Sequence, residues 1–212
     1  MKFSLFSKVP FEVSDPIALI ECYCFQNDFY GNYDLKKSKS KEIENVRFIG
    51  ARIPNESLRK CKKIVEKAEN VRLFEDKQLD EFLRLDREAR NKWVIEINDK
   101  IIKELLKIKG IGLSKATKVL HTLYPEIIPM IDNALQDEYK ETNPKWIEEQ
   151  SDQILIDYYD NLKKGDNWQN LNIIFKKISN NLPALTKVRV FDIIWWSYLK
   201  SKKLKINWYT IK

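Results

Sequence analysis

The sequence predicts a mainly α-helical chain, and three observations carry that prediction. Five glycines and seven prolines in 212 residues are too few for the many turns of an all-β protein. Apolar residues recur at three- and four-residue spacing through most of the chain. Helix-start signals precede several of these runs, among them Asp15-Pro16, Asn55, Asn98 and Asn143-Pro144. With 43% hydrophobic residues, the length suffices for one sizeable core or two small lobes sharing a cleft, and residues 1–212 read as a single domain. The net charge of +7 suits a polyanionic partner.

In chain order, Phe3–Val13 reads as a short strand or extended arm, and Asp15-Pro16 opens a helix running through Phe25. Phe25, Phe29, Tyr30 and Tyr33 then cluster around Gly31, followed by Lys36, Lys37, Lys39 and Lys41 among serines. Such a segment is either a set of core aromatics followed by a solvated linker, or a surface that stacks bases and holds a phosphate backbone. Asn55 caps a helix burying Leu58, Cys61, Val65 and Ala68; a further helix from Asp76 turns Leu79, Phe82, Leu83, Ala89 and Trp93 inward. After residue 132 a helix spans Asn133–Lys140, and Asn143-Pro144 starts another that points Trp146, Ile147, Ile154, Leu155 and Tyr158 inward and ends near Gly165. Its carboxylates, Glu148, Glu149, Asp152, Asp157 and Asp160, read as a solvated face rather than a metal site. Helices over 167–181 and 187–200 follow. The last, containing VFDIIWWSYLK, is apolar on almost every side and belongs at the centre. Its adjacent Trp195 and Trp196 cannot share a face, so one packs in the core while the other lines a cleft, and Arg189 and Asp192 are spaced to pair.

The most informative stretch is ELLKIKGIGLSKATKVLHTLYPEIIPMID, residues 104–132, which begins inside a helix capped by Asn98. That first helix buries Ile101, Ile102, Leu105, Leu106 and Ile108, and a second buries Leu113, Ala116, Leu120 and Leu123. Between them Gly110-Ile111-Gly112 gives two positions free to take positive φ and approach something outside the protein. Free N–H groups at the start of the second helix point the same way, and such groups bind phosphate. Lys109, Lys115 and Lys118 surround that end, so Lys109 to Gly112, Ser114, Lys115 and Lys118 form the candidate nucleic-acid contact. Asp132 suits an N-cap for the helix that follows, where the positive end of the helix dipole stabilises negative charge.

IKGIGLSKATKVL resembles a helix-hairpin-helix DNA-binding motif, here over residues 98–123. With the proline-containing loop ending in Asp132, the stretch is similar to the signature of the helix-hairpin-helix DNA glycosylase superfamily. The resemblance covers residues 104–132 closely and the remainder only in architecture. It implies a helical fold of two lobes around a cleft, acting as a monomer on double-stranded DNA in the cytoplasm, at the nucleoid, with Asp132 as the catalytic carboxylate. In strand-cutting relatives a lysine stands two residues after the second hairpin glycine; this chain has Ser114 there, and Lys115 lies about 100° further round the helix. The resemblance therefore implies a monofunctional enzyme that hydrolyses the N-glycosidic bond of a flipped base and leaves an abasic site. It also implies a structural Na+ or K+ held by main-chain oxygens of Leu106, Ile108 and Ile111. The base pocket would draw on Phe25, Tyr30, Trp195 and Trp196. The spacing of the N-terminal aromatics, the hairpin and the RVFDIIWW segment is also similar to a bacterial family of conserved proteins of unknown function.

Cysteines 22, 24 and 61 form no CxxC pair, and with His121 as the single histidine they supply no zinc or iron–sulfur ligand set. They read as reduced, buried residues of a cytoplasmic protein. MKFSLFSKVPFEV has too short an apolar run for a secretory signal, and no stretch is long and apolar enough to span a membrane. Expected substrates are damaged bases, or the modified bases of phage DNA such as modified cytosines. Two rivals stand beside this: a non-catalytic DNA-binding protein that uses the same hairpin, and a metal-dependent nuclease built on the acidic helix.

Overall fold

A computed structural model describes residues 1–4, 6, 10–26, 43–47, 49–69, 78–182 and 185–204. The chain is mainly α-helical with one very small sheet. β1 (Lys2–Phe3) pairs antiparallel with β2 (Phe11–Glu12), so the expected N-terminal arm is a short hairpin. Helix α1 (Pro16–Gln26) starts as anticipated, with Asp15 Oδ1 accepting the Ala18 N–H at 3.0 Å. A 3-10 turn, Ile43–Arg47, leads to α2 (Asn55–Glu69), whose Leu58, Cys61 and Val65 are buried.

The single helix expected to run from Asp76 past Trp93 is broken. Residue 76 lies outside the described residues; beyond it α3 (Leu79–Arg84) stops and α4 (Arg87–Ile97) restarts. Asp86 makes the break, because its extended backbone lets the side chain accept the Ala89 N–H at 2.7 Å. Buried Arg90 fastens the joint, donating to Leu85 O at 2.6 Å and to Asp160 at 3.2 Å.

Asn98 is not the N-cap that the sequence suggests. It sits inside a continuous helical path, where a π-helical turn (Asn98–Ile102) joins α4 to α5 (Lys103–Leu106). The extra residue of such a turn rotates the following side chains. Asn98 is thereby buried and accepts from Ser151 Oγ while donating toward Asp152 at 3.4 Å. Helix α6 (Leu113–Leu123) completes the hairpin pair and packs beside the 3-10 turn.

Then come α7 (Asn133–Thr142), α8 (Ser151–Lys163), α9 (Asn167–Ile178) and α10 (Lys187–Leu204). Residues 143–150 are turns rather than the start of α8, tied by Trp146 N–H to Asn143 O and by the Trp146 indole to Gln150 O at 2.8 Å. Ile147 is consequently 53% exposed instead of inward. Gly165, at φ +55°, ends the α8 connection as expected of a residue able to take the left-handed region.

Helix α10 is central. Val188, Val190, Phe191, Ile193, Ile194 and Trp195 are buried on successive faces, contacting α1, α7 and α9. Trp195 lies at the middle of an aromatic cluster, 4.4 Å from Phe191, 5.3 Å from Tyr158 and 5.5 Å from Phe6 between ring centroids. The β-hairpin seals one side, with Phe11 stacked on Tyr198 at 3.9 Å. Ser4 is tied to Asn167 by reciprocal hydrogen bonds of 2.9 and 3.1 Å. Cys24 and Cys61 are buried with thiols pushed up to about 11 by desolvation, whereas Cys22 is exposed, contrary to expectation, because it faces outward from α1. Among the described residues no helix is long and apolar enough to cross a membrane.

The adjacent tryptophans test this packing. Trp195→Ala is expected to cost about 3–5 kcal/mol, the scale for deleting a buried aromatic ring. Trp196→Ala, which removes a half-buried ring resting edge-on against Tyr23 at 5.4 Å, should cost about 1 kcal/mol in the same urea titration. Equal losses would contradict the central placement of Trp195.

Candidate functional site

The site begins with the turn between α5 and α6. Gly110 takes φ +81°, the left-handed conformation that glycine tolerates best, and nothing lies within 4 Å of where a Cβ would stand. Gly112 differs from expectation: its backbone is extended, at φ −97° and ψ −179°. A Cβ there would come within 2.8 Å of Glu148 Oε1, so a side chain at 112 would displace the Glu148 carboxylate.

Glu148 also corrects the expectation of free N–H groups at the start of α6. Its carboxylate accepts the Leu113 N–H in a short hydrogen bond. An anion does sit at this helix end, as the dipole favours, but it belongs to the chain itself. The remaining amides of the first turn are partly used as well, Lys115 and Ala116 N–H both reaching Gly112 O at 3.0 Å.

The lysines divide by role. Lys109 is exposed beside the turn. Lys115 folds back so that its ammonium donates to Gly110 O at 2.8 Å. Lys118 is half-buried further along α6, and burial pulls its ammonium pKa down, opposed by the Asp132 carboxylate and reinforced by Arg189.

Leaving α6, the chain crosses an irregular segment, 124–132, before α7. Asp132 is the N-cap of α7, accepting the Leu135 N–H at 2.9 Å from an extended backbone. The preceding residues Ile127, Ile128, Met130 and Ile131 are each no more than 7% exposed. Buried backbone polar groups require partners, and side chains from four helices supply them. Thr186 donates to Pro125 O at 2.7 Å and Tyr159 to Ile127 O at 2.7 Å. His121 Nδ1 lies 2.6 Å from Ile128 O, which places the ring proton on Nδ1. Asp192 accepts the Met130 N–H at 3.0 Å, Thr117 Oγ1 the Ile131 N–H at 3.1 Å, and Gln136 donates to Ile131 O at 3.1 Å. The half-buried Asp132 carboxylate follows directly on this anchored stretch.

One cleft of about 460 Å³ gathers the pieces. Gly112, Ser114, Lys115 and Lys118 line it from the hairpin side, Asp132, Asn133 and Ala134 from the start of α7, with Gly50, Ala51, Glu148 and Lys200 completing the wall. The sequence reading foresaw the hairpin residues and Asp132. It missed Glu148, Lys200 and the segment around Gly50, because nothing in their local spacing ties them to the hairpin. Thr117 and His121, polar residues on an otherwise apolar helix face, were the available signals for the buried anchoring.

The aromatic candidates are not brought to this cleft. Trp195 is 1% exposed in the core, Trp196 packs against Tyr23, and Phe25 is 81% exposed on α1. Tyr30 lies outside the described residues. Nor do Arg189 and Asp192 pair with each other. Arg189 donates to the Tyr23 hydroxyl at 2.6 Å and lies over its ring, while Asp192 accepts from Met130 and from Tyr158 at 2.8 Å.

The implied cation would be held by main-chain oxygens of Leu106, Ile108 and Ile111, at the turn that leads into Gly110. Ile108 O accepts the Ile111 N–H at 3.0 Å, and the Lys115 ammonium already supplies positive charge to the turn at Gly110 O. The acidic helix forms no cluster able to hold a metal among the described residues. Asp160 instead pairs with Arg87 at 2.8 Å and Asp157 accepts the Tyr139 hydroxyl at 2.6 Å.

Two of the anchoring groups titrate in opposite senses. Burial pushes the Asp192 carboxyl from 3.8 up to about 7, against the pull of Arg189, the Met130 N–H and the Tyr158 hydroxyl. Burial, helped by Arg189, pulls His121 from 6.5 down to about 3. For Asp192 the folded chain keeps a proton that the unfolded chain has lost, so its contribution to stability falls as pH rises from 3.8 to about 7. For His121 the unfolded chain holds the extra proton, so its contribution rises with pH from about 3 to 6.5. Urea titrations across pH 4–6.5 should therefore show a falling slope for His121→Asn and a rising slope for Asp192→Asn, with the wild type between. Identical slopes in all three would remove both assignments.

In comparisons with models of protein families, with curated proteins and with solved structures, no match to this chain is found.

Proposed function

We propose that this chain is a monofunctional DNA glycosylase of the helix-hairpin-helix type, with two helical lobes around the cleft that holds Asp132. The carrying observation is the convergence in one cleft of a rigidly anchored carboxylate and a lysine-rich hairpin. Hydrolysis of an N-glycosidic bond builds positive charge on the sugar as the base leaves. A fixed carboxylate stabilises that charge and orients the attacking water, as carboxylates do in sugar hydrolysis. Fixation matters because a carboxylate that must reorganise during reaction gives less stabilisation, and the segment leading to Asp132 has its backbone held by six side-chain contacts, five of them buried.

The target base must leave the stack, at a cost of about a few kcal/mol, least for a mismatched or damaged base. The hairpin would hold the flanking phosphates while Asp132 faces the sugar. Substrates in this reading are damaged bases, or modified bases of phage DNA such as modified cytosines. The aromatic surface that receives the base does not come from Trp195, which is buried in the core. A second reading, a DNA-binding protein without catalysis, is favoured by one observation: Asp132 is fully accounted for as the N-cap of α7.

Base release separates the two. Asp132→Asn keeps an N-cap, so stability should change by less than about 1 kcal/mol. Release of free base from a panel of damaged and virally modified duplexes, measured with EDTA present, is expected to fall by about a hundredfold or more in this variant. Undiminished release would take Asp132 out of the reaction, and DNA binding without release by the wild type across the panel would favour the binding protein.

Glu148 supplies a second test. Its carboxylate occupies the end of α6 that a DNA phosphate would approach. Glu148→Gln removes that charge and is expected to tighten duplex binding by about five- to tenfold at low salt. Weaker or unchanged binding would indicate that DNA does not approach this helix end.

A further inference from the structure

We propose that Lys200 grips the DNA backbone phosphate that lies on the far side of the flipped nucleotide from the hairpin. The proposal rests on the reading that the cleft receives such a nucleotide, and it adds a second point of hold opposite the first.

Lys200 reaches the cleft from a different element than the hairpin does. Gly112, Ser114, Lys115 and Lys118 belong to the turn and α6, Lys200 to the last stretch of α10, and all line the same space. Its placement follows from the face of α10 on which it stands. Asp192, Trp196 and Lys200 recur every four residues, so they form one row with steps of about 6 Å. Asp192, at the start of the row, accepts the Met130 N–H at 3.0 Å and so holds the segment that ends in Asp132. Lys202 fastens the same stretch of α10 to α7, at 3.0 Å from Glu138 and 3.6 Å from Glu141. The position of Lys200 relative to Asp132 is therefore fixed by attachments that do not use the Lys200 ammonium.

That ammonium lies over the Trp196 ring, 5.6 Å from its centroid, and the ring rests edge-on against Tyr23. The indole supports the side chain by cation–π attraction without neutralising its charge. Among the described residues no hydrogen bond or ion pair holds the ammonium. The other lysines of the cleft are less suited to a phosphate. Lys115 donates to Gly110 O at 2.8 Å, and burial disfavours the charged form of Lys118.

Flipping turns a nucleotide about the backbone on either side of it. A hold on one phosphate leaves the sugar free to swing. Two holds fix the axis of rotation, and with it the distance from C1′ to the Asp132 carboxylate, which is the geometry that oriented reaction requires. The second phosphate is an anion without base identity, and an unpaired lysine on the wall facing the hairpin matches it.

The test uses the full chain and a short duplex with one central tetrahydrofuran, a stable abasic analogue. Binding is compared on the fully charged duplex and on duplexes with one neutral methylphosphonate immediately 5′ or 3′ of the tetrahydrofuran. On the charged duplex Lys200→Gln is expected to weaken binding about five- to tenfold and to lower the salt slope by about 1. On one methylphosphonate duplex the wild type and Lys200→Gln should bind alike, because the charge that Lys200 meets is gone. Glu148→Gln, which reports the phosphate at the hairpin, should lose its gain on the other. Lys200→Arg should bind like the wild type and keep the sensitivity to the same methylphosphonate. An equal loss with Lys200→Gln on every duplex, as a purely structural role would give, overturns the proposal. So does no loss on the charged duplex, or silencing of both variants by the same methylphosphonate. Base release from damaged or modified DNA without this coupling would sink the Lys200 assignment alone. The coupling without base release would sink the glycosylase reading alone.

Discussion

The arrangement of the cleft depends on the buried polar contacts that hold the segment between α6 and α7. A non-helical segment running through the interior exposes its peptide groups to a medium without water. Each group left unpaired costs about 1–3 kcal/mol. Here Thr186, Tyr159, His121, Asp192, Thr117 and Gln136 each meet one of these groups. These partners come from α6, α7, α8 and the start of α10, so the segment is a junction of the fold. Its last residue, Asp132, is fixed in position because everything before it is fixed. The contacts thus connect the stability of the core to the geometry of the cleft.

The central helix has two duties in this scheme. Trp195 and Phe191 build the aromatic core, and Asp192, between them in sequence, reaches out to Met130 and Tyr158. A carboxyl wholly inside a protein is costly unless hydrogen-bonded. Asp192 is bonded on both oxygens, and the neighbouring Arg189 guanidinium lends positive charge without direct pairing. Arg189 itself is engaged with Tyr23 from α1. The charges buried behind the cleft are therefore committed to structure, whereas Lys118 and Asp132 line its wall.

Glu148 changes the picture of the hairpin. The dipole of α6 and the lysines nearby attract an anion, and in the free chain a carboxylate of this protein occupies that place. DNA binding at the hairpin, in the proposed function, is an exchange of one anion for another. The same carboxylate lies against Gly112, where a side chain would displace it, while the extended backbone there makes no demand for glycine.

The mainly helical class, the hairpin and the cap at Asp132 were legible in the sequence, because all three follow from local rules. Apolar spacing writes the buried face of a helix, glycine marks the left-handed turn at Gly110, and an aspartate before a helix finds the free N–H of Leu135. Local rules fail where a residue's partner is distant in sequence. Asn98 has the chemistry of a cap but is buried against Ser151, and Trp196 has the chemistry of a pocket wall but packs on Tyr23. Lys118, Glu148 and Lys200 become neighbours of Asp132 only when α6, the turns before α8 and α10 are assembled. Periodicity thus determined which faces are apolar and where the chain turns. Tertiary packing decided which polar groups share the cleft, since burial and electrostatic coupling depend on distance in space and not on separation along the chain.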